Sequence, residues 1–221
     1  MGEIIVGMGK PRAVRSVIAR VITFVGIVCI LTGLSFLGYV GWQYFGTNIV
    51  SKQKQEKVTQ ELVTNWDDGI DGNAIGLLRV DRFGKDYEVP IVPGFDDKAL
   101  AEGVGWYEKG EAPGQIGNFA IAGHRVTHGE PFRDFLKLRK GDKVEVETRT
   151  RIYTYELRDN GNDRVLDFTQ GWVLDAVPGK KGEVATQPVL TMLTCSELFH
   201  TRNRNIVFGD LIDTQPKGSR T

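Results

Sequence analysis

The sequence predicts an all-β barrel or sandwich carried behind a single apolar helix, and three observations lead there. From Val21 to Phe45 the chain has no charged residue across 25 positions. From Gly76 onward the texture changes to short apolar or alternating runs separated by Gly, Pro, Asn and Asp, rich in β-branched and aromatic residues. Such runs at that density read as strands of an all-β fold. The roughly 145 residues that carry them suffice for a closed barrel with one or two short inserted helices.

The first 20 residues hold Lys10, Arg12, Arg15 and Arg20 and read as a cytoplasmic N-terminus. The run 21–45, at about 1.5 Å per helical residue, is long enough for a hydrocarbon core of about 30 Å. Trp42, Tyr44 and Phe45 gather at its end, where amphipathic rings suit the headgroup zone. The positive-inside bias puts residues 46–221 outside, although Lys52, Lys54 and Lys57 weaken the contrast. A cleaved signal peptide is the alternative, against which stand the length of the run and the lack of a small-x-small cleavage site.

Residues 46–75 are polar, with Val58, Leu62 and Trp66 recurring every four positions. That spacing describes one thin helical stripe, hence a partly helical stalk that packs on the following domain or spaces it from the membrane. In the segment 76–221, strands are predicted at "GLLRV", "YEVPIV", "GNFAIAGH", "KVEVETRT", "IYTYEL", "WVLDAV", "PVLTML" and "NIVFGDLI". Two short helices are predicted: "DDKALAEG", with an acidic start and a Gly end, and "PFRDFLKLRKGD", which begins at Pro131 and stops at Gly141.

The 28 basic and 28 acidic residues cancel, so no global field draws the chain toward nucleic acid. Chemistry centres on Cys195, because the other cysteine, Cys29, lies in the apolar run. An oxidising exterior then leaves Cys195 without an intramolecular disulfide partner. It is core filling, a bridge between chains, or reactive. It stands where "PVLTML" gives way to the polar loop "SELFHTRNR", and strand ends are where reactive groups meet solvent. Nine residues on, Arg204 opens "NIVFGDLI". If the two runs are antiparallel neighbours, Cys195 and Arg204 meet at one end of the sheet. A guanidinium there favours a thiolate and can hold an oxyanion, whereas a solvated loop arginine, as Arg202 equally suggests, does neither. Histidines 124, 128 and 200 are all candidates for a proton-transfer partner, and spacing does not choose among them.

"TMLTC" followed by Arg204 before "NIVF" resembles the sortase signature, in which TLxTC ends one strand and an Arg begins the next. "GVGWYEKGEAPGQIGNFAIAGHRVTHGEPF" resembles the segment carrying the sortase histidine. The resemblance spans roughly residues 75–213, and with its AGHR form and short "WVLDAVPG" segment it is most similar to the class E sortases of actinobacteria, then to classes D and F. It implies an eight-stranded sortase-like β-barrel with one or two short helices over 76–221.

It also implies a membrane-anchored extracellular cysteine transpeptidase with Cys195 as nucleophile, His124 as general acid or base, and Arg204 holding the substrate backbone and oxyanion. Thr191 and Thr194 match motif positions beside the substrate. Met192 departs from the usual Leu, a swap of similar volume. His128 and His200 match no catalytic position. The implied substrates are secreted proteins with a C-terminal LAxTG or LPxTG sorting signal, cut between Thr and Gly. The implied acceptors are the stem peptide of a lipid II-type cell-wall precursor or a pilin lysine. No metal or cofactor is needed for that chemistry, and no DxDxDG calcium loop is present in the sequence.

Other readings fit less well. An L,D-transpeptidase would need an SHGC-type motif, and a papain-like peptidase the reverse order of Cys and His with the nucleophile on a helix. An anchored binding module with an inert Cys195 remains the alternative of a different class.

Overall fold

In the computed structural model, which describes residues 12–70, 72–195 and 202–218, residues 21–41 of the apolar run lie in one helix, α1 (Arg12–Gly41). Its large side chains are exposed along the length, Ile22, Phe24, Phe36 and Leu37 among them. Its hydroxyls turn inward, Thr23 Oγ1 donating to Ala19 O at 2.9 Å and Thr32 Oγ1 to Val28 O at 2.8 Å. A polar group satisfied by its own helix is compatible with lipid around it. A π-helical turn, Trp42–Gly46, leads in sequence to α2 (Thr47–Asp67). The chain divides into two units after Gln43, so α2 belongs with everything that follows.

Among the described residues, the second unit is built on nine strands: β1 (Gly76–Val80), β2 (Val89–Pro93), β3 (Val104–Trp106), β4 (Gly117–Ala122), β5 (Lys143–Glu147), β6 (Arg151–Leu157), β7 (Val165–Asp167), β8 (Pro188–Cys195) and β9 (Asn203–Pro216). Their order is β6-β5-β1-β2-β3-β4-β8-β9, and β9 pairs back to β6. Eight strands therefore close a ring, while the short β7 pairs with the start of β9 outside it. The β2–β3 and β4–β8 pairs are parallel; the remaining pairs are antiparallel.

Alternation decides which side chains fill the ring. Leu78 and Val80 of β1, Val144 and Val146 of β5, Leu190 and Met192 of β8, and Val207 of β9 are sealed into one core with Phe119, Phe132 and Phe135. Leu77 points to the opposite face of β1, and it is buried too because α2 covers it. The stripe read from the sequence is the cause: Leu62 and Trp66 pack on Ala74, Leu77, Val92 and Ala99, with Val58 beside them. Lys217 lies over the Trp66 ring, 3.7 Å from its centroid.

One local reading holds and two change. "DDKALAEG" is the helix α3 (Asp97–Glu102), its start capped by the Asp96 side chain, which accepts from Ala99 N at 2.8 Å. "PFRDFLKLRKGD" forms turns with a single 3₁₀ segment, Phe135–Lys137. Phe132, Phe135 and Leu138 are fully buried at a spacing of three, which suits the tighter 3₁₀ period and not the α-helical one. "WVLDAV" is no strand: it falls on a 3₁₀ turn, Gly171–Leu174, with Val173 buried. The strands β3 and β7, three residues each, were too short for any periodicity to announce.

Candidate active site

Register places the candidate residues at one end of the ring. In the antiparallel β8–β9 ladder Cys195 is the partner of Arg204, the last pair at that end. In the parallel β4–β8 ladder Ala122 is level with Leu193, and Gly123 N donates to Leu193 O at 3.2 Å. Two residues beyond that pair in each chain direction stand His124 and Cys195. The backbone positions of Cys195, Arg204 and His124 thus fall at one end of the ring, His124 arriving from a segment distant in sequence from the other two.

Each segment is held there by identifiable bonds. Thr194 Oγ1 donates to Gly123 O at 2.8 Å, clasping the end of β8 to the residue before His124. Gly123 admits no side chain, because a Cβ would come within 2.8 Å of the Phe132 ring. Phe132 N in turn donates to His124 O at 2.9 Å, so the aromatic core fixes the backbone that carries the histidine. Thr191 Oγ1 donates to Asn118 Oδ1 at 2.6 Å, and Asn118 Nδ2 donates to Val173 O at 2.8 Å and Asp175 O at 3.0 Å. That pin ties β4 and β8 to the turn Gly171–Leu174.

The two threonines are therefore part of the frame. Thr191 is 0% and Thr194 2% exposed, and both hydroxyls are committed to protein acceptors. Met192 is fully buried in the core between Ile121 and Val207. The departure from Leu touches packing inside the ring.

On the outer face, alternation groups Arg204 with Ile206 and Phe208 of β9, and Leu193 of β8 joins them beneath Trp172 and Leu174. Ala120 and Ala122 of β4 give this face small side chains on the other flank. The 3₁₀ turn thus covers the apolar residues of this face, leaving Ile206 2% and Phe208 6% exposed. Beside the turn, Gly171, Trp172, Asp175, Gly179 and Lys181 line an open depression of about 770 Å³. Arg204 is half-buried and donates through Nη1 to Asn203 O at 2.9 Å. Arg202, its rival in the sequence, pairs instead with Asp167 at 3.0 Å and lies over the Phe168 ring. Hydrogen bonds from Thr169, then Arg202, hold the Asp167 carboxyl down at about 2.

His128 is also at this end, its ring stacked on that of His124 with centroids 4.5 Å apart and planes 26° from parallel. Nothing in the spacing of the sequence announced that contact. His200 lies outside the described residues. Asn118 was missed as well, though an Asn inside the otherwise apolar "GNFAIAG" is a signal, because a polar side chain in a covered strand needs buried partners.

The family model for the sortase domain matches residues 78–212. Sortase SrtE1 of Streptomyces coelicolor is 31% identical over 210 residues, an alignment covering 87% of this chain and 58% of that relative. The chain thus spans little more than half the length of SrtE1. Sortase SrtE2 of the same organism is 26% identical, with 97% of this chain and 91% of the relative covered. Among solved structures, sortase E from Streptomyces avermitilis is 35% identical with a TM-score of 0.58, covering 65% of this chain and 91% of that one. A structure of Sortase E1 from Streptomyces coelicolor with a tripeptide in the active site is 33% identical with a TM-score of 0.56, over 65% and 91% of the two chains.

Proposed function

The chain belongs to the sortase family, and from that premise we propose that it is a membrane-anchored cysteine transpeptidase of the class E type, with Cys195, His124 and Arg204 as its catalytic residues. The observation that carries this reading is the register of three strand ends. Cys195 faces Arg204 across β8–β9, and the β4–β8 ladder delivers His124 to the same end.

The chemistry follows from the three groups. The Cys195 thiolate attacks the Thr carbonyl of a C-terminal sorting signal, of LAxTG or LPxTG type, and the negative charge that develops on oxygen is met by the Arg204 guanidinium. His124 as imidazolium gives its proton to the departing Gly nitrogen, so the C–N bond breaks and a thioester remains on Cys195. An acceptor amine, from a cell-wall stem peptide or a pilin lysine, then attacks the thioester. The now neutral His124 takes the amine's proton, the new amide forms, and the thiolate leaves. Thr191 and Thr194, with hydroxyls locked into the frame, serve the site by fixing the strands that carry it.

Two further observations support the reading. An open depression lies beside the turn that carries Trp172, and the tripeptide in the active site of the Streptomyces coelicolor enzyme is a ligand of the class proposed. The exposed apolar surface of α1 supports an anchor through 21–45, with the basic N-terminus inside the cell and the barrel outside.

The test is mass spectrometry of the full-length protein in detergent after incubation with LAxTG and LPxTG peptides. An adduct on Cys195 that retains the peptide up to Thr is expected, larger for the preferred signal. Cleavage between Thr and Gly by the Cys195→Ala protein would sink the proposal.

A further inference from the structure

Two amide side chains of α2 converge on the loop that follows His124. Asn48 Oδ1 accepts from Gly129 N at 3.0 Å, and its Nδ2 donates to Glu130 Oε1 at 2.7 Å. Two helical turns along the same face, Gln55 Nε2 donates to His128 O at 3.0 Å. Gln55 is 8% exposed and Asn48 half-buried, so polar residues that a solvated helix would leave in water are partly withdrawn from it.

The loop they hold is in an unfavourable conformation. His128 and Glu130 both have φ of 54°, and Gly129 between them has φ of 82°. Left-handed non-glycine residues are strained and persist only where their surroundings impose them. Gly129 suits that left-handed φ, and it lies against the Gln55 amide, which a Cβ there would have to displace from 2.6 Å. What the strained turn accomplishes is the stack: it lays the His128 ring on the His124 ring at 4.5 Å. His128 Nδ1 is 3.0 Å from Thr127 Oγ1, which steadies the ring from its own loop.

We propose that His128 is a positioning residue for His124, and that α2 holds it in place. The inference rests on His124 being the acid–base residue of the proposed transpeptidase. An imidazole turns about a broad torsion, and a ring packed flat on one side restricts that rotation to the orientation in which the proton is delivered. A neutral aromatic face also favours the charged form of the ring beside it. Burial lowers the pKa of His128, while Asp97 of α3 draws it up and Lys54 of α2 pushes it down. Glu130, the remaining acid of the loop, is engaged with Asn48 and Arg133.

The experiment uses the full-length protein in detergent and two readouts, peptide kinetics across pH and titration of the His124 ring by NMR. In His128→Ala, kcat falls about 10- to 100-fold with KM for the sorting peptide little changed, as expected for a misaligned catalytic group. The alkaline limb of kcat/KM and the His124 titration both move down by about half a pH unit as the aromatic face is lost. His128→Phe, which keeps a ring face, recovers most of both. Gln55→Ala moves both in the direction of His128→Ala, and Gln53→Ala, on the exposed face of α2, leaves them at wild-type values.

The proposal is overturned if His128→Ala keeps wild-type kcat and titration, or if His128→Phe, folded by its thermal melt, does no better than His128→Ala. Failure of the underlying reading looks different. In that case the wild-type protein turns over no sorting peptide while the His124 titration still responds to His128→Ala.

Discussion

Replacing Asn118 by alanine removes three hydrogen bonds at one stroke: the 2.6 Å bond from Thr191 and the donations to Val173 O and Asp175 O. The two donations are neutral bonds, together worth about 2 kcal/mol net. The Thr191 hydroxyl, 0% exposed, is left without an acceptor, which adds about 1–3 kcal/mol. The expected loss is about 4 kcal/mol. For a protein of this size that corresponds to a fall in melting temperature of about 10 °C. Full-length Asn118→Ala protein in detergent should show it by circular dichroism. Adding Thr191→Val removes the stranded hydroxyl, so the double variant should regain about 1 kcal/mol relative to Asn118→Ala, a coupling a mutant cycle reads directly. Because the pin also holds the turn Gly171–Leu174, KM for a sorting peptide should rise more than kcat falls. A melt within 2 °C of wild type, or a double variant less stable than Asn118→Ala, would refute the assignment of Asn118 as a pin.

Three other outcomes follow from the same geometry. Arg204→Lys should lose most transpeptidase activity with an unchanged melt, since an ammonium cannot reproduce the planar fork; activity near wild type in a peptide-cleavage assay would remove Arg204 from the oxyanion role. Leu62→Ala should destabilise the protein by about 2–5 kcal/mol, measured by denaturant unfolding, because Leu62 is 1% exposed between α2 and the sheet and the cavity has nothing to fill it. Burial pushes the Glu147 carboxyl up, but hydrogen bonds and charge from Lys217, at 2.7 Å, and from Arg79 outweigh it and hold the pKa below its ordinary 4.5. A depressed folded-state pKa gives stability that is present above the unfolded value and lost as pH falls through the folded one. The melting temperature should therefore drop on acidification below about pH 4.5, and Glu147→Gln should flatten that slope.

The barrel was legible because its long strands carry their period openly. "GLLRV", "KVEVE" and "PVLTML" alternate or are covered on both faces, and each is a strand. "WVLDAV" failed because apolar content is shared by strands and by any segment that must cover a sheet. Val173 is buried against Ile206 and Phe208, so the hydrophobicity was real and the period was not. At the site, the neighbourhood of Cys195 and Arg204 could be anticipated from a hairpin of two apolar runs. The position of His124 needed the parallel β4–β8 pairing, a contact across 71 residues between Gly123 and Thr194 that no local pattern encodes. His128 was hidden for a further reason: its ring reaches His124 through left-handed backbone at a non-glycine residue, against its own conformational preference.

That last point bears on why α2 is polar and yet buried on one side. A helix serving only as a spacer between a membrane and a barrel would keep its amides in water. Here Leu62 and Trp66 dock the second half of α2 by ordinary apolar burial, while Asn48 and Gln55 in the first half exchange water for the backbone of the 128–130 turn. The apolar half supplies the binding energy and the polar half supplies direction, since amide bonds fix the turn in a way that methyl contacts cannot. The helix that follows the apolar segment directly in sequence is therefore part of the framework behind His124. A barrel beginning at Gly76 would lack both the cover over Leu77 and the restraint on His128.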